Sequence, residues 1–228
     1  MDKVRIGSRY YAPNDDKHFE LFKENEGESI MIITGEKITA LYNEIPKQKS
    51  TKIQIGTLKI KQRIQVGDCT WSLFIKEDGK FYIMLDKEYS VNIKQFGTDN
   101  DYSTSDARKT VNNCNASKKA LEIFGADILI PTTLDLLSLD GLDDYGVCEG
   151  DLFGVITYDM YRMNRKNIDI SYMITCTPDS TPSGHGDSNI RVVTSDGCVC
   201  YDDCECSEAV RPFCILPSDI FVTQVNKL

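Results

Sequence analysis

Apolar and polar residues alternate along Lys52-Ile-Gln-Ile-Gly-Thr-Leu-Lys-Ile-Lys61, and this period of two marks a half-buried strand. Strand-sized apolar stretches recur along the chain. Val4–Tyr11 predicts an opening strand, and Ser29–Thr34, closed by Gly35, predicts another. Thr70–Ile75 and Lys80–Leu85 predict a hairpin, because the intervening Asp78 and Gly79 accept the positive φ of a tight turn. Asp16–Glu24, His18 included, predicts a short helix; Ile38–Ile45 fits neither period, and Pro46 with Lys47–Thr51 reads as a loop. A capped helix is expected over Ser103–Asn113, where a leading Ser or Thr can accept from the first free backbone N–H groups. Further helices are expected within Ala116–Phe124 and over Thr132–Leu139, the latter capped by Thr133. Asp127–Pro131, Phe153–Thr157, Ser171–Cys176, Ile190–Thr194, Cys198–Tyr201 and Phe213–Ile215 are the remaining strand candidates. Gly141–Gly154 is an acidic, Gly-rich connection, and Pro178–Ser188 has the composition of a surface loop.

Composition narrows the class. The 228 residues are 41% hydrophobic and 27% charged, which excludes disordered and collagen-like chains. The longest apolar runs, Ile30–Ile33 and Phe153–Ile156, fall far short of the roughly 20 residues that span a bilayer, so no membrane insertion is expected. With 26 Lys+Arg against 35 Asp+Glu, net charge -9, general binding to nucleic-acid phosphates is disfavoured. The charge is uneven. Residues 1–66 hold 12 basic and 9 acidic side chains, whereas residues 67–228 hold 14 and 26. A boundary around Lys59–Gly67 follows, dividing a β-rich region at 1–65, suited to attachment, from a domain at 66–228. The opening Met-Asp-Lys-Val-Arg-Ile is unlike a secretory leader, so synthesis in a reducing cytoplasm is expected and the nine cysteines read first as thiols.

The order Trp71, the hairpin Asp78–Leu85, the helix Tyr102–Asn113, Ile128–Leu139, Ser171–Ser180, Arg191–Tyr201 and Ala209–Val222 resembles an uncharacterised domain family of Gram-positive bacteria and their phages. The family pattern has a Trp-Leu-Arg-Ser-Pro segment, a Ser-Asp-Gly-x-Val strand and a Gly-Val-Arg-Pro-Ala-Leu ending. Ser195-Asp196-Gly197 and Val210-Arg211-Pro212 match it, Ala209 replaces Gly, and Met173–Pro178 keeps only the Pro of the first segment. The resemblance covers residues 66–222. It implies an α+β, C-type-lectin-like domain of mostly antiparallel short strands with two or three helices, distantly similar to phage receptor-binding proteins and formylglycine-generating enzymes.

Candidate chemistry is concentrated late in the chain. Cys198, Cys200, Cys204 and Cys206 could meet only if Tyr201-Asp202-Asp203 form a three-residue hairpin loop; a two-residue turn at Asp202-Asp203 would put the cysteine pairs on opposite faces. Their spacing is in any case poor for zinc, and no metal is expected. His185, between Gly184 and Gly186, lacks the preorganisation of a catalytic base. Asp140, Asp143, Asp144, Glu149 and Asp151 lack the Asp-x-Asp-x-Asp-Gly spacing of a calcium loop and read as a solvated face. The Glu-Pro-Asn and Trp-Asn-Asp ligand motifs of calcium-dependent lectins are missing. Trp71 reads as core, and Arg211 as a structural cation held by a carboxylate or carbonyls. Cys206 and Cys214 lie where a formylglycine-generating enzyme carries its reactive pair, but in no matching motif.

The expected function is noncatalytic binding by a virion-associated phage or prophage protein. It would be made in the bacterial host cytoplasm, require no cofactor, and assemble with other virion proteins or further copies of itself. A host-surface protein or glycan would be recognised through His185, Asp187, Asn189, Tyr201, Asp202 and Asp203, the last three on an exposed hairpin tip. A capsid or tail decoration protein and a bacterial enzyme of formylglycine-generating-enzyme-like fold are the alternatives.

Overall fold

The computed structural model describes residues 51–225, together with the strands at 4–6, 9–13, 18–22 and 29–34. The chain divides into two compact units, Met1–Lys49 and Ser50–Leu228. This division precedes the Lys59–Gly67 stretch where the charge changes. The intervening strands at Thr51–Gln54 and Arg63–Val66 lie within the sheet of the second unit.

The first unit contains a four-stranded antiparallel meander, β1 (Val4–Ile6), β2 (Arg9–Pro13), β3 (His18–Phe22) and β4 (Ser29–Thr34). β4 coincides with the expected strand. The expected opening strand is two strands, and the expected helix over Asp16–Glu24 is instead β3, whose His18–Phe22 backbone pairs with strands on both sides. Ladder pairing overrides the weak local helical preference there. Ile38–Ile45 and Lys47–Ser50 lie outside the described residues.

The second unit is α+β. Its centre is a six-stranded antiparallel sheet containing β5 (Thr51–Gln54), β6 (Arg63–Val66), β7 (Cys69–Glu77) and β8 (Lys80–Leu85). Only the first residues of the alternating Lys52–Lys61 segment are strand, since Ile55–Thr57 turns as a 3-10 helix. The β7–β8 hairpin is as expected: Asp78 and Gly79 have φ of 47° and 75°, and Glu77 pairs with Lys80. A bulge between Leu73 and Ile75 leaves Phe74 without a ladder partner. Alternation sends Trp71 and Leu73 into one hydrophobic core and Phe74 into the other, and the bulge lets Ile75 pack on the same side as Phe74.

Beyond β9 (Val91–Ile93), the helices α1 (Asp106–Asn113) and α2 (Asn115–Phe124) follow. The Ser105 hydroxyl caps α1 by accepting from the Arg108 backbone N–H at 3.0 Å. Ala116 and Ala120 of α2 pack into the core around Trp71, which is fully buried as its core reading requires.

The helix expected over Thr132–Leu139 does not form. Thr133–Asp135 is β10, paired with β11 (Val147–Glu149), and burial alternates through Leu134 and Leu136 while Leu137 and Leu139 are exposed. Four leucines within six positions fit either period, and the β11 partner decides in favour of two. The expected strands at Asp127–Pro131 and Phe153–Thr157 reduce to single bridges, Ile130 to Ile215 and Gly154 to Phe213. The third helix is α3 (Tyr158–Asn164), where the Thr157 hydroxyl accepts from the Met160 N–H at 3.0 Å.

A second sheet contains β12 (Met173–Pro178), β13 (Asn189–Val193) and β14 (Val199–Asp203). β15 (Glu208–Val210) pairs with β9, while β16 (Phe213–Pro217) and β17 (Phe221–Val225) join the large sheet, whose order is β16-β8-β7-β6-β17-β5. Arg211 is buried and structural, its Nε donating to the Leu85 carbonyl at 2.8 Å and its Nη1 to that of Asp169 at 2.7 Å. Among the described residues, no helix is long and apolar enough to cross a membrane.

Candidate binding surface

The loop between β12 and β13 is built around a buried amide. Asn100 has no exposed surface. Its Nδ2 donates to the carbonyls of Ser180 and Asn189, both at 2.8 Å, and its backbone N–H donates to the Asp187 carbonyl at 2.8 Å. Its Oδ1 accepts from the Tyr145 hydroxyl at 2.7 Å. Both amide protons and the amide oxygen are therefore engaged, fastening together three loops from distant parts of the sequence.

Ser180 extends this network. Its buried hydroxyl donates to Asp140 Oδ2 at 2.6 Å and accepts from the His185 backbone N–H at 2.8 Å. Hydrogen bonds from Ser138 and Ser180 hold the Asp140 carboxyl below its ordinary range. The Ser183 N–H donates to Asp144 Oδ2 at 2.9 Å, and the Gly184 and Gly186 N–H groups return to the Thr181 carbonyl. Gly184 is sterically required: a Cβ there would lie 2.5 Å from both Leu142 Cδ1 and Ser180 Oγ. Tyr145 is pushed up by burial, reinforced by the charges of Asp187, Asp99, Asp101 and Asp144, so its hydroxyl stays protonated as the donor to Asn100.

His185 and Asp187 are exposed on this loop, and Asn189 begins β13 opposite Asp203. The Cys204 N–H donates to the Ser188 carbonyl at 2.8 Å, so these candidates and the end of β14 are brought together. Tyr201 lies two residues further along, opposite Arg191; it is 59% exposed, and the Arg191 guanidinium carbon lies 5.8 Å from its ring centroid. Arg191 also pairs with Asp179.

Tyr201-Asp202-Asp203 are not a hairpin tip. The β13–β14 reversal lies earlier, at Ser195-Asp196-Gly197, where Gly197 has φ of 82° and Asp196 Oδ1 accepts from the Thr194 hydroxyl and the Cys198 N–H. Those bonds hold the Asp196 carboxyl down at about 2. Both Asp202 and Asp203 are paired with β13, so neither expected cysteine register exists. Cys198, Cys200 and Cys206 are exposed, Cys204 is buried, and all nine cysteines are free. Among the described residues, no three His, Cys, Asp or Glu side chains are grouped to hold a metal ion.

Asn100, Tyr145 and Ser180 escape sequence reasoning because their partners lie tens of residues away. Asn100 sits in a polar run, Thr98-Asp-Asn-Asp101, whose composition signals only a loop. In comparisons with family models, curated proteins and solved structures, none matches this chain.

Proposed function

We propose that the second unit is a noncatalytic binding module of C-type-lectin-like build, carried by a virion-associated phage or prophage protein. In this reading the face around Asn100 contacts a host-surface protein or glycan. The Asn100 hub carries the reading: one buried side chain fixes the loops that present His185 and Asp187, which reduces the ordering cost of binding. Recognition residues concentrate on such loops over a rigid sheet. Asp99, Asp101, Asp144 and Asp187 surround Tyr145 closely enough to act on its hydroxyl, which favours a target bearing amino groups or hydroxyls. The exposed Tyr201 adds a rigid aromatic contact. Residues 1–49 would attach the module to other virion proteins.

Two measurements test this. Mass spectrometry of particles purified from the source culture should find the protein, and its absence overturns virion association. Fluorescently labelled protein should bind the host's surface, and Asp187→Lys combined with His185→Ala should weaken that binding roughly tenfold or more, equivalent to about 1.4 kcal/mol. Particle-bound protein whose host binding is unaffected by these changes would replace recognition with decoration.

A further inference from the structure

Three side chains meet where β14 passes to β15. The Tyr172 hydroxyl lies 2.9 Å from Asp202 Oδ2 and 3.0 Å from Glu208 Oε1. A hydroxyl has one proton, so it can donate to only one of these carboxyl groups. The second contact is a hydrogen bond only if the other carboxyl carries a proton and donates to the tyrosine oxygen. Asp202 is placed to remain ionised, because its Oδ1 already accepts from the Asp203 backbone N–H at 2.9 Å. The proton therefore belongs on Glu208.

The trio bridges a connection secured on either side by other bonds. The Cys204 carbonyl accepts from the Phe96 and Gly97 N–H groups, and the Ser207 hydroxyl donates to the Lys94 carbonyl at 3.0 Å. The chain turns there at Asp203–Cys206, where the Cys206 N–H donates to the Asp203 carbonyl at 3.0 Å. We propose that Tyr172, Asp202 and Glu208 form a proton-operated latch: with one proton on Glu208 the trio holds the β14–β15 connection shut, and loss of that proton loosens it.

The surrounding charges fit this role. Burial pushes the Glu208 carboxyl up to about 7; the Tyr172 contact opposes this, and the Asp202 charge adds to it. The Tyr172 hydrogen bond pulls Asp202 down, separating the two carboxyls. Tyr172 itself is pushed up by burial and stays protonated. Just after β9, Lys94 borders the same depression, and no ion pair joins it to Glu208 among the described residues. From the turn, the Cys206 thiol is pushed up by burial, then by Asp202 and Asp203, so it adds no charge near neutrality. Deprotonated Glu208 would place a second negative charge beside Asp202, with one hydroxyl proton between them.

Hydrogen exchange of peptides spanning Asp203–Val210, corrected for intrinsic exchange, should show the opening equilibrium rising roughly tenfold or more between about pH 5.5 and pH 8.5. Glu208→Gln should abolish that rise, because its amide donates to the Tyr172 oxygen and has no proton to lose. Carbon-detected titration of the wild-type side chain, assigned through the backbone, should give a Glu208 midpoint near neutrality and needs no variant to fold. A pH-independent connection, a Glu208→Gln profile like the wild type, or a Glu208 midpoint in the ordinary carboxylate range overturns the latch.

Discussion

The Tyr145 hydroxyl donates to Asn100 Oδ1 at 2.7 Å, and Tyr145 thereby anchors the acidic 140–145 loop to the same amide that holds the carbonyls of Ser180 and Asn189. Removing the amide leaves two carbonyls and a phenol without their partner. Asn100→Ala should cost roughly 2 to 4 kcal/mol, and Tyr145→Phe, which breaks one bond, about 1 kcal/mol. Urea unfolding checks both. A loss below about 0.5 kcal/mol for Asn100→Ala would show that the loops hold without it.

Gly154 faces Phe213 across a two-residue bridge, and a Cβ there would lie 2.9 Å from the ring and 3.1 Å from Leu134 Cδ1. Gly154→Ala should destabilise the unit by roughly 1 to 3 kcal/mol, the usual cost of overpacking. Thermal unfolding should register the loss, and an unchanged midpoint would mean that Phe213 moves aside freely.

Thiol reactivity should sort the cysteines by position. Cys198, Cys200 and Cys206 are exposed and should be modified in the native protein, ahead of the buried thiols. Cys148, Cys176, Cys204 and Cys214 should react only on unfolding; burial pushes Cys204 up to about 12, so little thiolate forms near neutrality. Mass mapping of the labelled sites decides this, and fast modification of Cys214 would contradict its placement in the sheet.

Stability should pass through a maximum on the acid side of neutrality. Asp140, Asp144, Asp196 and Asp202 titrate below their ordinary value of 3.8 in the folded chain, so their contribution is present above that value and is lost as pH falls. Glu208 acts in the opposite sense. Its folded value of about 7 lies above the ordinary 4.5, so stability declines as pH rises between the two. Denaturant unfolding from about pH 2.5 to pH 8 should show the rise and the decline, and Glu208→Gln should remove only the decline.

Local chemistry made part of this molecule legible. Asp78-Gly79 specified its turn, and the strands near Ser171–Cys176, Ile190–Thr194 and Cys198–Tyr201 formed within a few residues of their expected bounds. Two failures share a cause, which is that a partner outside the local window decided the outcome. β11 made Thr133–Asp135 a strand, and β13 kept Asp202-Asp203 in a ladder although two adjacent aspartates suit a turn. α3 had a readable cap in Thr157 with Asp159 in its first turn, but the apolar run before it suggested only a strand. Loop composition pointed to His185, Asp187 and Asn189 as candidates, whereas Asn100 is visible only through its contacts.

β17 lies between β6 and β5, with Val222 opposite Ile53 about 170 positions earlier. A growing chain therefore makes β5 and β6 long before the strand that joins them exists. Until β17 arrives, β5 has no place in the large sheet, and both strands present unpaired backbone edges of the kind that invite association. On the ribosome, β6, β7 and β8 can pair in sequence, but β5 can join them only after the Phe221–Val225 segment has left the exit tunnel, so β5 must stay unpaired or be shielded throughout most of synthesis.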